Sequence, residues 1–255
     1  MKKLIIGTLL TAAVFSIVWY RRTADYKPIG KILIAGTSAD FPPFSYRNLD
    51  NSIVGLDIDI VKEIANRLNL TLELKDRPFT TLLPEIELGR IHVIAAGMTP
   101  TPERAKNVHF TQAYVTGNPL LVVTLAKNPK LTNLDELKGK TVAVNTGYIA
   151  DLYMSNIPDI TLLRLPKLAD AFTALEHGKA YALVVSNYSL QPYLKELDKD
   201  GTTFNTLRLQ ETDENYALAI SNMLPVSFVE DIEKTLANMQ ADGTLDALKQ
   251  KWEIL

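Results

Sequence analysis

The chain has no cysteine among its 255 residues, and this absence removes several kinds of chemistry at once. Disulfides, thiol nucleophiles, cysteine-ligated zinc and iron–sulfur clusters are excluded, and so is a lipid carried on an N-terminal cysteine. The chain also lacks a large excess of charge of either sign. Its 27 Lys and Arg residues nearly balance its 29 Asp and Glu residues, which gives a net charge of −2. The basic surface typical of a nucleic-acid-binding domain is therefore not expected.

The usual signatures of catalytic and metal sites are also missing. His92, His109 and His177 stand alone, without the spacing that binds a metal from one helix. The sequence contains no glycine-rich phosphate loop and no nucleophile elbow. Asp57 and Asp59 fall in the first turn of a predicted helix, where they do not face each other and where the helix dipole explains them. We expect no metal and no cofactor.

One long uncharged run, Leu4–Tyr20, lies between two pairs of basic residues. As a helix it would measure roughly 26 Å, barely the thickness of a bilayer core. Residues 1–27 are therefore predicted to be a signal peptide or a signal anchor. The uncleaved anchor is favoured because cutting after the early small pair, Thr11 and Ala13, would leave an apolar tail on the mature protein. In both cases the remainder is placed in the periplasm or another extracytoplasmic space.

From Lys31 onward, short apolar runs alternate with amphipathic stretches. Residues 32–37 are predicted as a buried strand, 57–68 as a helix and 71–75 as the next strand. A helix over 80–88 and a strand over 91–96 follow. Two consecutive strand–helix–strand units predict a parallel sheet with helices on its faces.

After Pro119 the alternation starts again, so two α/β lobes are expected. The predicted strands are 120–125, 141–144, 181–185 and 216–220. The predicted helices are 134–137, 168–175, 188–197, 229–239 and a last one toward Trp252.

Two loops leave predicted strands at their carboxyl ends, where open α/β sheets bind ligands. The first, 36–44, carries Phe41 beside two prolines. The second, 95–104, ends with Arg104 in the first turn of a helix that Thr101 is predicted to cap, where a cation opposes the dipole. We therefore expect an anionic partner, most simply a carboxylate held by two hydrogen bonds. The alternatives are a packed loop and a surface arginine.

Together these segments resemble the family-3 bacterial solute-binding proteins, the polar amino-acid receptors of ABC importers, over about residues 30–255. The segment that matches the family signature position by position is GLDIDIVKEIANRL, 55–68. The other segments that agree in order and spacing are 36–44, 96–104, 110–111, 137–144, 242–244 and 251–252.

The resemblance implies an α/β fold of the type II periplasmic-binding-protein class, in which each of two lobes is a mixed sheet flanked by helices. Lobe 1 would comprise 28–115 plus 214–255, and lobe 2 would comprise 119–211. Two crossing strands, near 116–119 and 212–215, would form a hinge on which the lobes close over the ligand.

The same resemblance assigns roles in lobe 1. Arg104 would clamp the α-carboxylate of the ligand. Gly97 and Thr99 would add backbone or hydroxyl hydrogen bonds, and Phe41 and Phe79 would sandwich the ligand side chain.

Lobe 2 would contribute Asn145, Thr146 and a turn ending at Ile149, where a helix N-terminus can meet the carboxylate. Two positions depart from the family pattern, because Ser38 and Ser186 stand where acids are common. A hydroxyl supplies no charge to a buried ammonium, so a lysine or arginine ligand is less expected. A carboxylate ligand that is not a standard amino acid stays open.

Either Asp213 or Glu214, at the second crossing strand, could restore the ammonium site. The expected function is a non-catalytic receptor that passes a small carboxylate-bearing solute, foremost an amino acid, to an ABC permease in the inner membrane. We expect a monomer with no nucleic-acid partner. The alternatives are a periplasmic enzyme resembling cyclohexadienyl dehydratase and a membrane-tethered ligand sensor. The enzyme is disfavoured because Ser38 and Ser186 leave the cleft loops without a positioned acid.

Overall fold

The computed structural model describes residues 30–254. The predicted signal peptide or anchor, 1–27, lies outside these residues. Within them, no helix is both long enough and apolar enough to cross a bilayer.

The described residues form strands and α-helices with the following bounds in chain order. The strands are β1 (Ile32–Thr37), β2 (Asp40–Phe41), β3 (Ser45–Arg47), β4 (Ile53–Val54), β5 (Thr71–Asp76), β6 (Val93–Ile94), β7 (Val108–Phe110), β8 (Val115–Asn118), β9 (Leu120–Leu125), β10 (Thr141–Asn145), β11 (Thr161–Leu165), β12 (Ala182–Ser186), β13 (Phe204–Arg208), β14 (Glu214–Tyr216) and β15 (Ala219–Ser221). The helices are α1 (Leu56–Arg67), α2 (Phe79–Glu87), α3 (Ile149–Met154), α4 (Leu168–Glu176), α5 (Asn187–Leu197), α6 (Val226–Ala241) and α7 (Thr244–Lys251).

Lobe 1 contains a five-stranded sheet in the order β5-β1-β6-β15-β7. β1 runs parallel to β5 and to β6, as the two strand–helix–strand units predict, and β15 runs antiparallel to β6 and β7. The buried face of α1, including Leu56, Ile60 and Ile64, packs into the core of this lobe. A small sheet of β2, β3 and β4 follows β1 and places the loop with Phe41 beside the sheet edge.

Lobe 2 contains a second five-stranded sheet in the order β11-β10-β12-β9-β13. β10 is parallel to β11 and β12, while β9 is antiparallel to β12 and β13. The chain passes between the lobes along β8 and β14, which pair with each other in an antiparallel arrangement. The mixed α/β fold with two sheet-bearing lobes is thereby confirmed.

Two strands differ from the sequence predictions. The strand predicted over 91–96 is ordered as a strand only at Val93–Ile94. The strand predicted over 216–220 is two strands, because β14 ends the crossing between the lobes and β15 enters the first sheet. Between them the amide of Ala217 donates to the Met98 carbonyl. A continuous apolar run does not reveal such a change of partner.

Candidate functional site

The residues singled out in the sequence gather where four strands end. Ser38 follows β1, and Gly97 lies shortly after β6 in lobe 1. Asn145 and Ser186 are the last residues of β10 and β12 in lobe 2. The crossing strand β14 passes between these ends and carries Glu214. The cleft between the lobes therefore lies where strand ends of both lobes and a crossing strand meet.

Arg104 is 7% exposed and belongs to a three-residue 3-10 turn rather than to the predicted α-helix. The predicted cap is present, since the Arg104 amide donates to Thr101 Oγ1 at 3.1 Å. The guanidinium donates from Nη1 to the Thr99 carbonyl at 2.7 Å and from Nη2 to the Gly147 carbonyl of lobe 2 at 2.8 Å. Among the described residues its partners are thus two carbonyls, and the expected carboxylate is not one of them.

Glu214 is the acid that faces the cleft. It is buried, and Thr99 Oγ1 donates to Glu214 Oε2 at 2.7 Å. Burial raises the pKa of Glu214 to about 7, although the Thr99 hydrogen bond and the Arg104 charge act in the opposite direction. Its neighbour Asp213 is half-exposed and accepts from Arg208 at 3.1 Å. Thr99 therefore holds a buried cation by its carbonyl and a buried anion by its hydroxyl.

Asp57, in the first turn of α1, holds the loop 95–104 in place through Gly97. The Gly97 amide donates to Asp57 Oδ2 at 2.5 Å, and Tyr114 Oη donates to Asp57 Oδ1 at 2.8 Å. The side chain is fully buried, and burial raises its pKa to about 7. The helix dipole alone is thus an incomplete explanation for this residue. Asp59, by contrast, accepts from Trp252 Nε1 on the outer side of α1.

A glycine is required at position 97 because the Phe41 ring leaves no room for a side chain. Its φ is +57°, and a Cβ added there would lie 2.8 Å from Cε1 of Phe41. Any side chain would therefore push Phe41 out of place. Because its amide hydrogen is already donated to Asp57, Gly97 has no backbone donor left for a ligand.

The two phenylalanines expected to sandwich a ligand are both buried and face the cleft. Phe79 also lies beside the guanidinium of Arg104, whose Cζ is 5.5 Å from the ring centroid. Between them lies Tyr148 of lobe 2, with ring centroids 3.8 Å from Phe79 and 4.8 Å from Phe41. Sequence reasoning passed over Tyr148, and its only signal was an aromatic residue inside the turn ending at Ile149.

Ser38 and Ser186 both have partners within the protein. Ser38 Oγ donates to Asp40 Oδ1 at 2.8 Å, so an acid stands two residues beyond the position where relatives commonly have one. Ser186 Oγ accepts from Tyr216 Oη at 3.0 Å, and Tyr216 Oη accepts from Asn118 Nδ2 at 2.9 Å. This chain of hydrogen bonds ties the end of β12 to both crossing strands.

Of the remaining lobe 2 candidates, one lines the cleft and the other two make contacts within lobe 2. Asn145 lines the cleft. The Thr146 amide donates to the Leu165 carbonyl, and Ile149 packs against the core of lobe 2. At the start of α3 the Gly147 amide donates to Asp151 Oδ2 at 2.9 Å. The protein's own carboxylate therefore already occupies one amide of the turn at which a ligand carboxylate was expected.

A cavity of about 10 Å³ remains between the lobes, and its lining residues come from both of them. They are Phe41, Asn145, Tyr148, Ala150, Val184, Val185, Ser186 and Glu214. Within residues 30–254 no group of three or more His, Asp or Glu side chains could hold a metal ion.

Two sheet-bearing lobes joined by two crossing strands, with opposite charges buried between them, define a protein that binds a ligand in the cleft. The model of the bacterial extracellular solute-binding proteins, family 3, matches residues 33–254, and the chain belongs to this family.

The similar proteins include binding proteins of known ligand class. The arginine-binding extracellular protein ArtP of Bacillus subtilis (strain 168) is 30% identical over 226 residues, which cover 87% of this chain and 86% of ArtP. The crystal structure of the substrate-binding protein of an amino acid ABC transporter has a TM-score of 0.80 and 34% identity, covering 87% of this chain and 98% of its own. The ancestral amino acid-binding protein AncCDT-1, a precursor of cyclohexadienyl dehydratase, has a TM-score of 0.77 and 27% identity, covering 87% and 95%.

Proposed function

We propose that the chain captures an α-amino acid between its lobes and delivers it to an ABC permease. The arrangement of Arg104, Thr99 and Glu214 carries this proposal. Thr99 is hydrogen-bonded to both the buried cation, Arg104, and the buried anion, Glu214. The carboxylate and the ammonium of a zwitterionic amino acid complement these two charges. The similarity to an arginine-binding protein and to the binding protein of an amino acid ABC transporter supports the ligand class.

Arg104 would bind the ligand carboxylate, which takes the place of the Gly147 carbonyl at Nη2. A guanidinium forms stronger hydrogen bonds with a carboxylate than with a neutral carbonyl. Glu214 would bind the ammonium, aided by the hydroxyl of Ser186 and the amide of Asn145. A buried charge is most stable with an opposite charge in direct contact, and the ligand would supply such a contact to both side chains in place of neutral partners.

The cleft would open and close through the crossing strands. We propose lobe 1 as 28–115 plus 214–255 and lobe 2 as 119–211, with the hinge near 116–119 and 212–215. The hydrogen bond from Arg104 to Gly147 joins the two lobes directly. Ligand entry would break this bond, and closure over the ligand would replace it.

Calorimetry tests the proposal with the full-length chain in mild detergent, titrated with the twenty standard L-amino acids. We expect saturable binding of at least one of them, and loss of that binding in Arg104→Gln. Native mass spectrometry of gently purified protein should show the same ligand retained. Silence toward the whole panel, with no amino acid found by mass spectrometry, would rule out the amino-acid receptor.

A second candidate is an enzyme that resembles cyclohexadienyl dehydratase. Sequence reasoning disfavoured it for want of an acid, but Glu214 is a buried carboxyl at the cleft, and its pKa of about 7 suits a general acid. AncCDT-1 is a precursor of such an enzyme. Turnover assays with prephenate-like cyclohexadienyl acids, with Glu214→Gln as the control, separate the candidates. Product formation that Glu214→Gln abolishes would favour the enzyme.

We propose an extracytoplasmic monomer with no nucleic-acid partner, held at the inner membrane by residues 4–20. The family is extracellular, which supports the compartment. Intact mass and a carbonate wash of membranes test the anchor, since a cleaved leader would leave a shorter and washable chain. A tethered sensor would bind ligand equally well but would not stimulate the ATPase of a reconstituted permease.

A further inference from the structure

Lobe 2 inserts a side chain of its own into the aromatic slot of lobe 1, which is the space between the Phe41 and Phe79 rings. The Tyr148 ring is nearly parallel to Phe79, at 21°, and tilted by 35° from Phe41. It is 7% exposed. The neighbouring Gly147 carbonyl accepts from Arg104 in the same contact. The slot and the guanidinium are therefore both occupied by consecutive residues of one turn.

A small cavity adjoins Tyr148 and Phe41, and Phe79 is not part of its lining. The cavity of about 10 Å³ is bounded by Glu214, Ser186 and Asn145, close to the charged groups of the site. It is barely large enough for one water molecule. A modest parting of the lobes would admit the amino and carboxyl groups of a ligand here, whereas a long side chain would need the slot itself.

The hydroxyl of Tyr148 gives a second, independent sign of a ligand contact. Tyr148 Oη is buried and has no hydrogen-bond partner of normal geometry among the described residues. Ser38 lies beside it, and the Ser38 oxygen, whose hydrogen is donated to Asp40, can accept no more than a weak, poorly aligned hydrogen bond from Tyr148. A buried hydroxyl without a partner is unusual in a folded protein, and a polar ligand atom next to the slot would satisfy it.

We propose that Tyr148 determines specificity by filling the side-chain subsite, so that the receptor prefers α-amino acids with short side chains, such as glycine, alanine and serine. The inference rests on the proposed function and narrows its ligand class. A ligand with a long chain must expel the buried Tyr148 ring, whereas a short one can leave that ring stacked on Phe79 and tilted against Phe41. Similarity to an arginine-binding protein does not transfer its ligand, because the slot of this chain is already filled.

Calorimetry of three full-length proteins tests the proposal: the wild type, Tyr148→Phe and Tyr148→Thr. The probes are glycine, L-alanine and L-serine against L-glutamine, L-lysine and L-arginine. The wild type should bind its best short ligand at least about tenfold more tightly than any long one. A pocket that does not accommodate additional methylene groups discriminates against them by a factor of this order. Tyr148→Phe keeps the ring and should keep that ranking, with weaker binding overall because the hydroxyl contact is lost. Tyr148→Thr should bind at least one long ligand about tenfold more tightly than the wild type does.

Two results would overturn the specificity role alone. One is a wild type that binds arginine, lysine or glutamine as tightly as alanine. The other is a Tyr148→Thr protein, folded by circular dichroism, whose ranking is unchanged. If Tyr148→Thr fails to fold, the wild-type ranking still decides. Failure of the wild type and both variants to bind any probe, together with silence in the twenty-member panel, would instead overturn the proposed function.

Discussion

The two walls of the cleft differ in what they offer. The lobe 1 wall carries Arg104 and the aromatic slot, which are the groups that we propose recognise a ligand. The lobe 2 wall meets them with the Gly147 carbonyl and the Tyr148 ring, which are groups that a ligand would itself present. Lobe 2 thus imitates a ligand: a carbonyl oxygen stands for a carboxylate oxygen and a ring stands for a side chain.

This difference affects affinity as well as shape. The closed arrangement is stabilised by its own cross-lobe contacts, so a ligand gains only the surplus of its interactions over those it replaces. Variants on the lobe 1 wall should therefore change affinity strongly. Variants on the lobe 2 wall should change affinity less, apart from Tyr148, which changes the choice of ligand.

The largest effect is expected at Arg104. In Arg104→Gln a bound carboxylate would lose its charged partner while remaining buried, which costs about 3 kcal/mol or more, a loss of roughly a hundredfold in affinity by calorimetry. Arg67→Gln is the matched control, because Arg67 forms surface ion pairs with Glu63 and Asp242. It should change affinity by less than about twofold. Equal losses in the two variants would show that Arg104 acts through stability and not through the ligand.

Glu214 should make ligand binding depend on pH. Its pKa is raised by burial to about 7, and an ammonium binds the ionised form. Affinity should therefore be constant above pH 7 and fall by up to about tenfold per unit below it. Glu214→Gln should bind roughly thirtyfold more weakly at pH 8 and lose this dependence.

Two other carboxyl groups serve as controls for that profile. Asp213→Asn removes the half-exposed neighbour and should keep both the affinity and the pH profile. Asp57 shares the raised pKa but contacts Gly97 and Tyr114 instead of the cavity. If the pH dependence of affinity persisted in Glu214→Gln and disappeared in Asp57→Asn, the titrating group would be Asp57. Because Asp57 does not line the cavity, this result would contradict direct recognition of the ammonium by Glu214.

Asp57 should instead affect folding stability. A carboxyl whose pKa is higher in the folded than in the unfolded chain holds its proton in the folded state, so its contribution to stability is full below pH 4 and is lost as pH rises toward 7. Between pH 5 and pH 8 the wild type should therefore lose roughly 2 kcal/mol relative to Asp57→Asn, which cannot ionise. Denaturant unfolding at the two pH values measures the difference. A constant difference would contradict the raised pKa.

In the second sheet the sequence predicts central strands better than edge strands, although the edge strand β5 of the first sheet was predicted to within one residue. The apolar runs predict β1 and β9 with the observed bounds, because a strand with neighbours on both sides reads as a continuous hydrophobic segment. β11 and β13 were missed. Both lie at the edges of the second sheet and alternate between more and less exposed residues, so their apolar signal is weak.

Some residues of the candidate site were also predictable from the sequence, and others were not. The position of Arg104 in the cleft was predictable because it depends on one loop and its neighbouring strand. The choice between Asp213 and Glu214 was not, since adjacent residues near a strand point to opposite sides and the sequence does not say which side faces the cleft. The position of Tyr148 depends on how lobe 2 closes against lobe 1, and the three residues of that contact are far apart in the chain.

The smallest expected effect sharpens the comparison within lobe 2. Ser186 Oγ accepts from Tyr216 Oη, whereas Ser189 Oγ, one turn further on in α5, is buried without a partner among the described residues. Ser186→Ala should cost about 1 kcal/mol of unfolding free energy and no more than about fivefold in affinity, because Tyr216 loses one hydrogen bond but keeps Asn118. Ser189→Ala should be neutral or stabilising, since it removes a buried polar atom that bonds to nothing.

Equal destabilisation by the two alanine variants would mean that packing, and not the hydrogen bonds to the crossing strands, accounts for both. A Ser186→Ala loss of affinity as large as that of Arg104→Gln would break the comparison itself. The lobe 2 wall would then recognise the ligand directly, and the imitation of a ligand by Gly147 and Tyr148 would be incidental to binding. A small loss, with the pH profile of Glu214 intact, would leave recognition with lobe 1 and the crossing strand.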